Sequence, residues 1–464
     1  MGTRALQAQQ RGIETAGHNL ANVNNPAYAR QRIHLRTSSA LPTPTGPVGT
    51  GVAVTHVMQM RDALLDRRIA TEASISGYWQ AQQQALQYAQ AGLGQDLDRQ
   101  ATGPAGAAAA SGTQRALAEG LQDLFSAFQS VATSPTSLTE RQALLQKAQS
   151  LAMKFNLTDA RLAELQAELN ARLGDDVAAA NELLEAVARL NNDLLDAEMG
   201  GGVANDLRDL RQAKLEALAR LVKVDAVEDA TGNLDLSLGG TALVSGNLVN
   251  DTLQTYDAGT GARLIRTAAG GVALTLTGGA MQGTMDARDG AVADLRRRLD
   301  TVATQLLAQI NTVHAAGYNL TGGTGAAFFT GTGAADLAVN AALAADPALV
   351  QAAGVAGAVG DNQVAVALAQ LAEVRLAPLG NQTFQQNYAQ TVEALGQSLA
   401  ATNEQVSDQE AVARMLDQQR ASVSGVSLDE EMTDLVKFQK AFAASAKLVT
   451  TVDELLELVV NLKR

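Results

Sequence analysis

Gly425-Val426-Ser427-Leu428-Asp429-Glu430-Glu431 opens the stretch that decides the fold. Counted in sevens from Leu428, the chain places Leu428, Leu435, Phe442, Val449 and Leu456 in one row. A second row, three residues on, holds Glu431, Phe438, Ser445, Val452 and Val459. Eight of these ten positions are apolar; Glu431 and Ser445 are the interruptions. A sustained seven-residue repeat gives a narrow seam that winds against a partner helix. At about 1.5 Å per residue, Leu428 to Val459 spans roughly 48 Å. Ser427 three residues before Glu430 is the spacing of a capping box, in which Ser427 accepts from the Glu430 amide and the Glu430 side chain reaches back. Asp429, Glu430 and Glu431 then read as first-turn acids favoured by the helix dipole.

The seam needs a partner, and the other end of the chain offers one. Leu6, Ile13 and Leu20 also fall seven apart. A helix this short is marginal in water by itself. Between the ends lie three compositional zones. Long helical patterns run to about Leu221, broken by a turn-rich patch at Pro42–Gly51. The Leu and Val stripes from Leu162 to Leu194 mark one apolar face, with Gly174 as a bend or a helical glycine. From Val222 to Gly283 come short alternating runs between glycines, Asn233 to Leu238 and Val272 to Thr277, which read as strands. Helical patterns then resume from about Asp286, broken by a Gly-, Thr- and Ala-rich stretch over 317–360. The expected fold is mainly α with an inserted β domain: an elongated multi-domain rod with terminal helices in a coiled coil, a helical-bundle middle domain and a β-rich outer domain. The expected bounds are 1–40 with 426–464 for the terminal domain. The bundle takes 41–221, 287–316 and 362–425, and the β-rich domain takes 222–286 and 317–361.

Composition narrows the function classes. The net charge of −13 argues against a nucleic-acid binder, which needs a basic face. There is no cysteine among the 464 residues, and no apolar run of about 18 residues, so no membrane insertion is expected. The N-terminal stretch lacks the apolar core of a secretory signal, so export would take another route. The histidines, His18, His34, His56 and His314, show no metal-ligand spacing, and no phosphate-loop glycine pattern precedes a helix. No cofactor, metal or catalytic residue is expected. Gly46 to Gly51 reads as a hairpin turn before a strand from Val52 to Val57. Arg296-Arg297-Arg298 reads as a solvated helix face.

After the first helix comes Ala21-Asn22-Val23-Asn24-Asn25-Pro26-Ala27-Tyr28-Ala29-Arg30. Clustered asparagines and Asn-Pro stop a helix and form a turn. This segment resembles the ANxNTPGYxR signature of flagellar rod, hook and hook-associated proteins, carried here by Asn22, Asn24, Pro26, Tyr28 and Arg30. Asn25 stands where Thr is usual and Ala27 where Gly is usual. Five further stretches resemble the hook-associated proteins of the FlgK type: Pro135-Thr136-Ser137 with Arg141, Ala204 to Asp209, Val244-Ser245-Gly246, His314 to Tyr318, and Phe438 to Ala446. The resemblance implies a structural adaptor of the bacterial flagellum at the hook–filament junction, not an enzyme. It implies a homo-oligomer in the axial structure that meets the hook protein and a second junction protein. It also implies type III export without a cleaved signal to an extracellular place, and an export chaperone on the C-terminal helix. Family members carry several more residues ahead of the position of Gly2, which implies either a start codon set late or a missing first turn, and with it a shorter terminal coiled coil. The alternative within the same resemblance is another axial protein, a hook or second junction protein.

Overall fold

The chain leaves and re-enters one point on a long helical body. The computed structural model describes residues 2–44, 46–94, 116–259 and 261–462. Helix α1 (Gly2–Ala21) is followed by the asparagine-rich turn and β1 (Gln31–Thr37). A small hairpin of β2 (Leu41–Thr43) and β3 (Gly46–Val48) leads to β4 (Val52–Gln59), which pairs antiparallel with β1 from Gln31↔Gln59 to Thr37↔Val52. Helix α2 (Ala63–Gly92) starts at Asp62, whose carboxylate accepts from the Leu64 and Leu65 amides. Then come α3 (Ala116–Thr133), α4 (Leu138–Glu198) and α5 (Asn205–Leu221).

Helix α4 is the spine. It runs 61 residues without a break, roughly 90 Å at the α-helical rise, so Gly174 is a helical glycine and not a bend. Ser137 caps its start by accepting from the Glu140 amide. Its apolar stripe serves two cores in succession. Leu144, Leu151, Phe155 and Leu162 enter a helical core shared with Leu124, Phe128, Leu306 and Leu399. Leu173, Ala180, Leu184 and Val187 enter a second core against Leu236, Leu238, Val244 and Ile265. The second core is wholly aliphatic apart from Met281, while the helical core gathers six of the chain's eight phenylalanines, with Tyr388, among its aliphatic side chains. The single Arg run does not form one solvated face: Arg296 pairs with Asp159 of α4, while Arg297 and Arg298 pair with Asp294 on their own helix.

The strands sit on the second half of the spine. β5 (Asp225–Glu228), β6 (Leu234–Leu238), β7 (Thr241–Ser245) and β8 (Leu248–Val249) form one antiparallel sheet in that order. β9 (Leu253–Asp257) and β10 (Arg263–Thr267) form a separate hairpin. The run from Val272 to Thr277, expected as a strand, makes only an isolated bridge, Ala273 to Arg266. Thr267 binds the Val272 amide through its hydroxyl, and Gly279, at φ 86°, turns the chain at once into α6 (Ala280–Asp286). Two backbone bonds hold the run to β10, from the Thr267 amide to the Val272 carbonyl and from the Leu274 amide to the Ile265 carbonyl. A π turn (Ala287–Val292) joins α6 to α7 (Ala293–Ala315).

The segment 317–361 does not join the sheet. It carries only the two-residue strands β11 (Phe329–Thr330) and β12 (Ala338–Val339) and the short α8 (Ala341–Ala345). Phe328, Phe329, Leu337 and Val350 bury in the helical core. Two polar groups of that core pin it there. Arg141, 1% exposed, donates to the Pro135 and Val350 carbonyls. His314, fully buried, bonds the Ala326 carbonyl at 2.8 Å through Nδ1 and accepts the Gln351 amide at 2.9 Å on Nε2. The chain closes with α9 (Gln363–Gln370), α10 (Phe384–Ser424, with Thr383 and Gln386 in a capping box) and α11 (Leu428–Asn461).

Candidate functional site: the clamp between the chain ends

Helices α1 and α11 run antiparallel. Gly2 lies under Val449, Gly12 under Phe438, and Asn19 reaches Glu431. The contact row on α1 is made of small residues: Ala8, Gly12, Ala16 and Asn19 are its buried positions. Leu6, Ile13 and Leu20 flank that row and are half-buried. The reason is the close approach of the two helices. A Cβ on Gly12 would stand 2.7 Å from the Phe438 ring, so Phe438 occupies the space that a side chain there would need. Across the pair, Glu431 is buried and Leu435, Phe438, Ser445 and Val449 are half-buried. Leu428 and Phe442 lie more open. Val452, Leu456 and Val459 are exposed; among the described residues Gly2, the first of α1, lies against Val449.

The start of α11 departs from the capping box. Ser427 has N-cap geometry, φ −94° and ψ 118°, but its side chain makes no capping bond. The Glu430 carboxylate turns to Arg30 instead, accepting from its guanidinium at 2.5 Å. A charge-assisted bond to a largely buried guanidinium is stronger than a return bond to a solvated amide. Glu430 is accordingly held below the usual carboxylate range by Arg30. The acidic run is a clamp for Arg30 as well as a dipole-favoured first turn.

Around this point the Asn-rich motif builds a polar centre. Arg30 donates through Nε to Glu431 at 2.6 Å, and both side chains are nearly closed to solvent. Burial works against the Arg30 charge, but its bonds to Glu430 and Glu431 outweigh it and raise its pKa. Asn19, 1% exposed, fills all four of its bonding positions. Its amide donates to the Gln31 carbonyl at 2.9 Å and to Glu431 at 3.0 Å. Its oxygen accepts from Tyr28 at 2.7 Å and from the Gln31 amide at 2.9 Å. Burial, then the carboxylates of Asp206, Asp209 and Glu431, push the Tyr28 hydroxyl well above its ordinary pKa, so it stays a donor. Of the other motif residues, Asn22 closes the turn on the His18 carbonyl at 3.0 Å. Asn24 and Pro26 are exposed on its outside.

The centre is tied to the helical body by the start of α5. The Ala29 amide donates to Asp209 at 3.1 Å, Gln59 at 2.8 Å and Arg61 at 3.0 Å do the same, and Gln31 donates to Asp206. Burial pushes Asp209 up to about 6, against the lowering effect of the Ala29 amide and Arg61. Arg30 itself hangs from the end of α10 through its amide and the Ser424 carbonyl, 2.8 Å. The signature resemblance singles out Tyr28 and Arg30 and the cap spacing Glu430, whereas Asn19 and Gln31 carry no such signal and Asp209 enters only as the end of the resembling stretch Ala204 to Asp209. Glu431 reads from the sequence as a first-turn acid and as a polar interruption of the apolar row. A polar residue at a seam position fixes register at a cost in stability, and that was the available signal.

The geometry can bind and orient helices. Among the described residues no group of three or more His, Asp or Glu side chains is placed to hold a metal ion, and no helix is long and apolar enough to cross a membrane.

Residues 108–329 match the family described as the flagellar hook-associated protein FlgK helical domain. Residues 411–462 match the C-terminal family of the flagellar basal body rod FlgEFG proteins. The chain is 27% identical over 505 residues to flagellar hook-associated protein 1 of Bacillus subtilis (strain 168), covering 99% of this chain and 96% of that one. It is 23% identical over 560 residues to the protein of the same name from Salmonella typhimurium, covering 99% and 98%. Among solved structures it resembles the flagellar hook junction protein FlgK from Burkholderia pseudomallei, with a TM-score of 0.63 at 16% identity, over 78% of this chain and all of that one. That last likeness is one of fold.

Proposed function

This chain is a member of the flagellar hook-associated protein family, and from that premise we propose that it is a structural adaptor at the hook–filament junction that self-assembles through its terminal helices. The supporting observation is the clamp. It fixes α1 against α11 yet leaves α11 from Val452 onward bare, with Leu455, Leu456, Leu458 and Val459 all more than half exposed. A helix end with that much apolar surface needs cover. In a repeating axial structure the neighbouring copy supplies it, and the α1–α11 pair winds into a coiled coil.

In this reading, 1–40 and 426–464 form the terminal domain, 41–221, 287–316 and 362–425 the helical body, and 222–286 the outer β part. The segment 317–361 goes with the body, whose core it enters. The flanking partners are the hook protein and a second junction protein. An export chaperone covers the C-terminal row before assembly, and the protein reaches the extracellular flagellum without a cleaved signal. Its work is structural and not enzymatic. Deleting residues 427–464 tests this: cells should lose filament attachment. Cells that still join hook to filament with the truncated protein would refute the assembly role.

The match of residues 411–462 to a rod-protein C-terminal family favours, as a second reading, another position along the axis. Immunogold labelling of purified flagella separates the two.

A further inference from the structure

Beside the clamp lies a cleft of about 760 Å³, between the first turns of α2, one side of α5 and strand β5. Six consecutive residues, Lys223 to Glu228, line it. A strand that turns one face to a cavity lines it with alternate residues. An unbroken run means that β5 presents its edge. β5 is the outer strand of its sheet and pairs with β6 on one side. Its other edge therefore offers backbone donors and acceptors to an added strand.

The charge of the cleft adds a second, independent observation. Arg61, Arg208 and Arg211 on its walls are held in ion pairs. Arg67 and Lys223 are not: Arg67 bonds the Ala63 carbonyl at 3.3 Å. Among the described residues neither cation meets a carboxylate within ion-pair distance. Asp66, Asp225 and Glu228 also line the cleft, so Arg61, Arg67, Arg208, Arg211 and Lys223 outnumber the carboxylates, and this positive balance in a chain of net charge −13 favours acidic side chains from outside.

We infer that this cleft receives an extended, carboxylate-bearing segment of a second copy of this chain, added as a strand along β5 with its acids toward Arg67 and Lys223. Main-chain bonding along the edge would supply affinity and the two cations orientation. A second copy is the occupant because the chain's own net charge of −13 complements the positive balance of the cleft, and because the proposed assembly sets copies side by side. The inference rests on that assembly reading.

The chain has no cysteine, so Thr71→Cys on the cleft wall is a unique attachment point for a photo-crosslinker. On flagella carrying this full-length variant, irradiation should yield a species of twice the chain mass, its crosslink mapping to an acidic segment of the second copy. Adding Arg67→Glu and Lys223→Glu should reduce that species roughly tenfold, with the circular dichroism of the purified chain unchanged. No crosslink, a crosslink to a different polypeptide, or a dimer undiminished by charge reversal each overturns the proposal. If filaments stay attached in those cases, the junction reading stands and the cleft assignment alone falls.

Discussion

Replacing Asn19 by Asp changes one NH₂ group to an oxygen and leaves the shape of the side chain intact. The Asn19 amide faces the Glu431 carboxylate at 3.0 Å and the Gln31 carbonyl at 2.9 Å. In Asn19→Asp an oxygen faces both. Two unit charges about 3 Å apart at an effective dielectric of about 20 repel by roughly 5 kcal/mol. Proton uptake limits the penalty. Keeping one carboxyl of the pair neutral at pH 7, against an ordinary pKa near 4, costs about 4 kcal/mol. At pH 5 the same step costs about 1.4 kcal/mol. The sign follows: the raised carboxyl pKa makes the folded clamp bind more protons than the open one, so its stability falls as pH rises from about 4 to 7. Hydrogen exchange of the peptide covering α1 is the assay, on the full-length chain at pH 7 and pH 5. Protection of α1 should collapse at pH 7 and largely recover at pH 5, relative to the unchanged chain at each pH. Adding Glu431→Gln should restore part of it at pH 7, because the Gln amide can donate to Asp, while Glu430 still holds Arg30. Unchanged protection at pH 7, or a loss equal at both pH values, would refute the clamp as the lock on α1.

Gly12→Val should displace Phe438 and cost about 1–3 kcal/mol as an overpacked contact, read as faster proteolysis of α1, and Phe438→Ala should relieve it in the double variant. Burial pushes His314 down to about 4 from an ordinary 6.5, so the open chain binds the extra proton. Stability is then full above pH 6.5 and declines by about 3 kcal/mol as pH falls to 4. Urea titrations at pH 7 and 4.5 should show this slope, and His314→Gln should flatten it. Arg141→Met keeps the length of the side chain but strips the Pro135 and Val350 carbonyls of their donor. We expect a loss of about 2–4 kcal/mol by chemical denaturation, with the amides of 345–352 losing protection first.

The sequence by itself determined the helical ends, the long apolar stripes and the family resemblance. These depend on local periodicity and on a turn motif that neighbouring residues complete among themselves, as Asn22 does on His18 and Asn25 on Ala27. What it did not determine were choices made between distant segments. Which row of α1 meets α11 was settled by how closely two backbones approach, and this favoured Gly12 and Ala16 over the larger Ile13 and Leu20. Whether Glu430 capped its own helix or bound Arg30 depended on a guanidinium 400 residues away. Whether 317–361 belonged to the sheet or the bundle depended on two buried donors, Arg141 and His314, that hold its backbone in the helical core. The alternating run at Val272 had the right pattern for a strand but lay where the chain had to turn into α6. The seven-residue period of α11 is legible because it lies within one helix. The clamp at its base is not, because hydrogen bonds between distant segments leave no period in the sequence, and only the tertiary structure brings Asn19, Arg30, Asp209 and Glu431 to one place.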